Sequence, residues 1–145
     1  MNKLNIIATT VIVIMILLTA VACVSNVINN SAKLEGVTWL LESYGNPGNL
    51  TAAIADTEVT LTFDKDKKTI SGTGGVNGYG GDYAVDGNKL TVSGVIHTLI
   101  ASTNEALNIQ ESTFFKILDS ADSYKIEGKQ LTITGSEGVL VFLQK

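Results

Sequence analysis

The chain has no arginine, one cysteine, one histidine and one proline, and only 6% of its residues are aromatic. A single cysteine excludes an internal disulfide and any zinc cluster built on cysteines. A single histidine excludes a multi-histidine metal site. The ten basic residues are all lysine and stand against 14 acids, for a net charge of −4. That balance argues against nucleic acid, where affinity comes from neutralising phosphates with basic groups. What is present is a chain of 145 residues, 45% hydrophobic, with 14 glycines. The length suits one domain.

Residues Ile6 to Val24 form an apolar run, preceded by Lys3 and no acid. A short positive flank before such a run is the pattern of an export signal. The run ends in Thr19-Ala20-Val21-Ala22-Cys23. Small residues before a cysteine resemble a lipobox, where the signal is cut before the cysteine and the cysteine takes the lipid. The reading is a lipoprotein-type signal peptide over residues 1–22, lipidated Cys23 opening a flexible polar tether over 23–33, and one domain over 34–145. The alternative is an uncleaved membrane anchor, because the run approaches the ~20 apolar residues that cross a bilayer. Both readings hold the domain at the outer face of the cytoplasmic membrane or in the cell envelope. The only cysteine sits at the cut site, which favours lipidation over catalysis or structure.

From Leu34 onward the dominant period is two. Val59, Leu61 and Phe63 alternate with Thr60 and Thr62, as in a half-buried strand. Asp64 to Lys68 is too polar to bury and reads as a turn, with Thr69 to Thr73 as the return strand. A first strand is expected over Trp39 to Tyr44, and a loop from Asn46-Pro47-Gly48 to about Thr57. The chain also repeats itself. Tyr83 to Gly94 and Tyr124 to Gly135 share the pattern Tyr-x-β-acid-Gly-x-x-Leu-Thr-β-hydroxyl-Gly, where β is a branched or small apolar residue. Each copy reads as a hairpin whose glycine takes φ > 0 in the turn.

Between the copies lies one helical stretch, expected from Asn104 to Asp119, with Thr103 or Asn104 as its cap. Leu107, Phe114, Ile117 and Leu118 recur at helical spacing, and Glu111 and Lys116 are expected outside that stripe. Val139 to Leu143 reads as a central strand. The fold expected is mainly antiparallel β: one strongly curved sheet, or an incomplete small β-barrel, of about seven to eight strands with one packed α-helix.

These segments resemble the META domain, the family of the heat-shock protein HslJ. The likeness runs through Leu34 to Leu41, Val59 to Phe63, Thr98 to Ser102, the helix and the closing strands. Its most specific part is Gly74-Gly75-Val76-Asn77-Gly78-Tyr79-Gly80-Gly81-Asp82-Tyr83. The resemblance implies a small barrel-like domain with a helix, and an envelope or stress-linked protein with no shared reaction. It marks Trp39, Gly74, Gly75, Asn77, Tyr79, Gly81 and Tyr83 as structural motif residues. The family often carries cysteines where this chain has Val76 and Ser102. If those cysteines pair in relatives, this chain lacks a constraint typically worth ~2–4 kcal/mol. Val76 is expected to supply apolar burial in its place.

Several sites with the look of chemistry have plainer explanations. The glycine block lacks the Gly-Lys-Ser/Thr of a phosphate loop and precedes a strand rather than a helix. Tight bends and close backbone approach explain it better, with Asn77 bonding local backbone. His97 has no nucleophile or orienting partner at a suitable spacing. Trp39, Tyr44, Tyr79, Tyr83 and Tyr124 are expected in the core rather than around a ligand. No catalytic residue, cofactor or metal is expected. The partners expected are the membrane, through the N-terminal lipid or anchor, and an unidentified envelope protein; nucleic acid is not among them. The domain is expected as a monomer. The functional expectation is a non-catalytic, membrane-anchored domain acting by protein contacts in envelope maintenance or stress response. The alternative is small-molecule or lipid binding in a barrel cavity.

Overall fold

A computed structural model describes residues 34–145. The expected signal peptide (1–22) and the tether with Cys23 (23–33) lie outside the described residues. Along the described chain run β1 (Thr38–Asn46), β2 (Asn49–Ala52), β3 (Thr60–Asp64), β4 (Thr69–Thr73), β5 (Gly78–Asp86), β6 (Lys89–His97), α1 (Glu105–Asp119), β7 (Ala121–Glu127), β8 (Gln130–Gly135) and β9 (Gly138–Gln144).

The strands lie in the order β2-β1-β3-β4-β5-β6-β7-β8-β9, and β9 pairs back with β1. Every pairing is antiparallel. Eight strands thus close into a barrel, with β2 outside it as a short ninth. Closure removes the unpaired edges that a curved sheet otherwise presents. It also explains the apolar run of β9: Val139 to Phe142 are all buried, between β8 on one side and β1 on the other.

Local sequence sets the turns. The two repeat copies are equivalent hairpins: Asp86 faces Lys89 across Gly87-Asn88, and Glu127 faces Gln130 across Gly128-Lys129. Gly87 and Gly128 both have φ +61°. The positive φ at the first central residue suits the right-handed twist of the flanking strands. In the β3–β4 turn, the Asp64 carboxylate accepts from the backbone N–H groups of Asp66 and Lys67, both at 3.0 Å. The bond from Lys67 is the main cause that holds the Asp64 pKa below its ordinary value.

One difference from the sequence reading is β2, where a loop was expected. Pro47-Gly48, with Gly48 at φ +82°, turns the chain so that Asn46 faces Asn49 and Ser43 faces Ala52. All four β2 residues are exposed, so no apolar alternation marks the strand.

Inward residues of every barrel strand meet in one core with the helix. Trp39, Leu61, Phe63, Ile70, Leu90, Leu131, Ile133 and Phe142 are almost fully buried. The barrel is thinnest between β6 and β7, which share the single pair Lys89↔Ser123, beside a Tyr124 N–H to Asn88 C=O bond of 2.9 Å. At His97 the chain leaves β6, forms α1, and returns as β7. The helix packs on β1, β6, β8 and β9 and plugs one end of the barrel with Phe114, Phe115, Ile117 and Leu118. Phe114 stands edge-on to Tyr79 at 5.6 Å and to Phe142 at 6.4 Å. The molecule therefore has two unlike ends. The turns after β3, β5 and β7, with residues 34–37, form one; α1, β2 and the 98–104 segment form the other.

Candidate functional site

The glycine block lies at the helix end, between β4 and β5, and its backbone folds around a side chain of this same protein. The Glu111 carboxylate enters from the middle of α1. Its Oε1 accepts from the N–H groups of Val76 at 3.0 Å and Asn77 at 2.6 Å. Its Oε2 accepts from the Asn77 side-chain amide at 2.5 Å. Successive backbone N–H groups that converge on an anion are the essence of a phosphate cradle. Here the anion is supplied from within. Gly74 makes room for it, since a Cβ there would sit 2.6 Å from Oε1 and 2.9 Å from the Phe115 ring. Gly75 carries φ +107°, a left-handed geometry that favours glycine.

Asn77 extends this contact to a third segment. Its Oδ1 accepts from the Thr98 hydroxyl at 2.7 Å and the Ile100 N–H at 2.8 Å, and its Nδ2 also donates to the Ile100 C=O at 2.9 Å. The expectation that the Asn77 amide bonds local backbone is corrected: its side-chain partners lie 21 to 34 residues away. A side-chain amide with both ends occupied is well suited to a buried position.

Two neighbours of Glu111 do similar work. Gln110 accepts from the Ile54 N–H at 2.7 Å and donates to the Thr57 hydroxyl at 3.3 Å, holding the β2–β3 loop. Asn108 accepts from the Ser102 N–H and donates to the Ser102 C=O, both at 2.9 Å. Three polar side chains on one helix thus each hold a different loop. Asn104 caps that helix, accepting from the Ala106 N–H at 3.0 Å, as one of the two expected caps.

Glu111 was expected outside the apolar stripe and is instead buried with it. Its spacing explains this, because it stands four residues after Leu107 and three before Phe114. A charged residue inside a buried stripe was the available signal. Val76 also differs from expectation, being only half-buried. At Ser102 the backbone is clasped by Asn108.

The other motif residues separate between the two ends. Tyr79 adjoins the site and donates to the Thr60 C=O at 2.8 Å, passing Gly72, where a Cβ would lie 3.1 Å from the ring. Gly81 faces the β6 bulge, with a virtual Cβ 3.1 Å from the Ser93 carbonyl oxygen and Val95. Trp39 and Tyr83 lie toward the other end. The Trp39 indole donates to the Leu34 C=O at 3.0 Å. Tyr83 donates to Glu35, which also meets Lys68 at 3.4 Å. Burial, aided by the Glu35 bond, raises the Tyr83 pKa; burial alone raises that of Tyr79. Tyr44 and Tyr124 join the same core.

Outside the glycine loop, an open groove of about 630 Å³ runs between α1 and the 98–101 segment. His97 lies on its wall, stacked flat on Phe115 at 4.5 Å and 8°. Its Nδ1 is 2.9 Å from the Thr98 carbonyl oxygen. Among the described residues, no three His, Cys, Asp or Glu side chains gather as a metal site would need. Among the same residues, no helix is long and apolar enough to cross a membrane.

The META domain family model matches residues 32–145. None of the curated proteins matches the chain. Among solved structures, a protein from Burkholderia xenovorans determined by NMR superposes with a TM-score of 0.67 at 23% identity, over 80% of this chain and 86% of that one. A second NMR structure gives 0.63 at 22% identity, over 77% and 92%. A DUF4847 family protein from Bacteroides vulgatus gives 0.55 at 14% identity, over 78% and 95%. At these identities the likeness is one of fold.

Proposed function

The chain belongs to the META domain family, and from that premise we propose that it is a non-catalytic domain held at the outer face of the cytoplasmic membrane, or in the cell envelope, by its N-terminal segment. It acts there by protein contacts in envelope maintenance or stress response. The observation that carries this reading is the occupied glycine loop. The one motif with the look of a ligand cradle has its Val76 and Asn77 N–H groups committed to Glu111. The apolar run from Ile6, ending at Ala22-Cys23, supports the anchoring.

The alternative reading, ligand binding inside the barrel, needs an open interior. Trp39, Phe63, Tyr83, Leu90 and Phe142 are all buried within the single core cluster, where such a ligand would sit. That packing favours the contact reading.

Metabolic labelling with an alkyne fatty acid tests the anchoring. Wild type should carry the label and sediment with membranes, and Cys23→Ser should lose the label. Membrane retention without label in both proteins would point to an uncleaved anchor. Recovery of wild type in the soluble fraction, without label, would overturn the membrane reading.

A further inference from the structure

We propose that the exposed apolar face at the helix end docks a partner protein through an apolar segment flanked by lysine or arginine. This inference deepens the protein-contact reading and rests on it.

Six large apolar side chains are exposed among the described residues: Leu50, Ile96, Leu99, Ile100, Ile109 and Leu143. The first five belong to the helix end, on β2, the end of β6, the 98–104 segment and α1. Leu99 is 90% exposed and Ile100 62%. Scattered exposed apolar residues are ordinary, but Leu99 and Ile100 are adjacent and line one groove together with Ala101 and Phe115, which marks an interaction surface.

The backbone beneath them is held firmly. Both the N–H and the C=O of Ile100 bond the Asn77 side chain, and both those of Ser102 bond Asn108. Asn77 is in turn fixed by buried Glu111. Leu99 is thus presented from a clamped loop, and a surface ordered beforehand loses less entropy on binding. Beside it, the groove lined by the Phe115–His97 stack offers space for an inserted side chain.

Charge selects the partner. Residues 47–59 and 96–112, near this face, contain four acids and no lysine, and Lys116, further along α1, pairs with Glu137 at 2.6 Å. Glu111 is inside, and Glu58 pairs with Lys145 at 2.6 Å. Asp56 and Glu105 remain exposed at the rim. Lys65, Lys67, Lys68, Lys89, Lys125 and Lys129 all sit in or beside the turns of the opposite end. An acidic rim complements basic flanks and repels anionic headgroups. A symmetric second copy would set Asp56 and Glu105 against like charges. Leu34, where the described residues begin, lies at the opposite end, bonded to Trp39.

The test places the photo-crosslinker p-benzoylphenylalanine at position 99 or 129 of the full chain in living cells, with adducts mapped by mass spectrometry. The expected result is an adduct from position 99 to one protein, at an apolar residue flanked by lysine or arginine. Combining Asp56→Asn with Glu105→Gln should lower its yield on the order of 10-fold, as the loss of complementary charge predicts. Asparagine suits position 56, where φ is +62°. Adducts from position 99 to lipid or to a second copy would overturn the proposal, as would none. A protein adduct from position 129 alone would overturn this surface and leave the contact reading standing. Protein adducts from neither position would count against both.

Discussion

Glu111 and Asn77 are joined twice: the Glu111 carboxylate takes the Asn77 backbone N–H at 2.6 Å and its side-chain amide at 2.5 Å. Through this pair the middle of α1 grips the start of β5, and Asn77 passes the grip on to Thr98 and Ile100. The glycines of the motif make the approach possible, and the asparagine distributes it.

Glu111→Ala removes the acceptor and leaves the Val76 and Asn77 N–H groups without it. A lost acceptor for buried donors costs about 1–3 kcal/mol for each group, so a fall of about 3 kcal/mol in stability is expected. Urea unfolding measures it. Ser112→Ala, one position along on an exposed part of the helix, should change stability by less than about 0.5 kcal/mol.

Gly74→Ala forces a methyl group to within 2.6 Å of the Glu111 Oε1 and 2.9 Å of the Phe115 ring. Overpacking of this kind costs about 1–3 kcal/mol. Gly128→Ala meets nothing within 4 Å, and only its φ of +61° opposes the change. Its cost should be closer to ~1 kcal/mol. Thermal melts of the two variants, read side by side, separate crowding from backbone strain.

Much of this fold was legible because its signals are local. The acid-Gly turns at Asp86-Gly87 and Glu127-Gly128, the alternation of Val59, Leu61 and Phe63, and the Asn104 cap each follow from neighbouring residues. The site was legible only in part. Gly74, Gly75 and Asn77 stood out by composition, yet Glu111, which meets Gly74 and Asn77, lies 34 residues further along the chain from Asn77. Gln110 and Asn108 escaped notice for the same reason, since nothing local requires an amide to reach Ile54 or Ser102. β2 was hidden because a strand exposed at every position has no period to detect.

The tyrosine hydroxyls should respond oppositely to removal. Tyr79 donates to the Thr60 C=O at 2.8 Å, and Tyr79→Phe should cost about 1 kcal/mol. The Tyr124 hydroxyl is buried and finds no hydrogen-bond partner among the described residues. Tyr124→Phe should be neutral or stabilise by up to about 1 kcal/mol. Urea midpoints of the two variants check both signs.

Alkaline pH should unfold the barrel through its tyrosines. Burial raises the pKa of Tyr79, Tyr83 and Tyr124, and Glu35 adds to the rise at Tyr83. In the unfolded chain these groups ionise near pH 10. The stability they contribute is complete below that value and declines as pH rises from it toward the higher folded pKa values. Tyrosinate absorbance and circular dichroism should therefore change together above about pH 10.

The sole tryptophan reports on the filled interior. Trp39 is 1% exposed. Its fluorescence should be blue-shifted and resistant to iodide in the native protein, and should become red-shifted and quenchable on unfolding.

The central claim is that the glycine loop holds the protein's own carboxylate in place of a ligand. Amide NMR of Val76 and Asn77 tests it most directly. In wild type both resonances should exchange slowly with solvent and stay unmoved in millimolar phosphate, and Glu111→Ala should displace both. Resonances that shift with phosphate in wild type, or that ignore the loss of Glu111, would contradict the account.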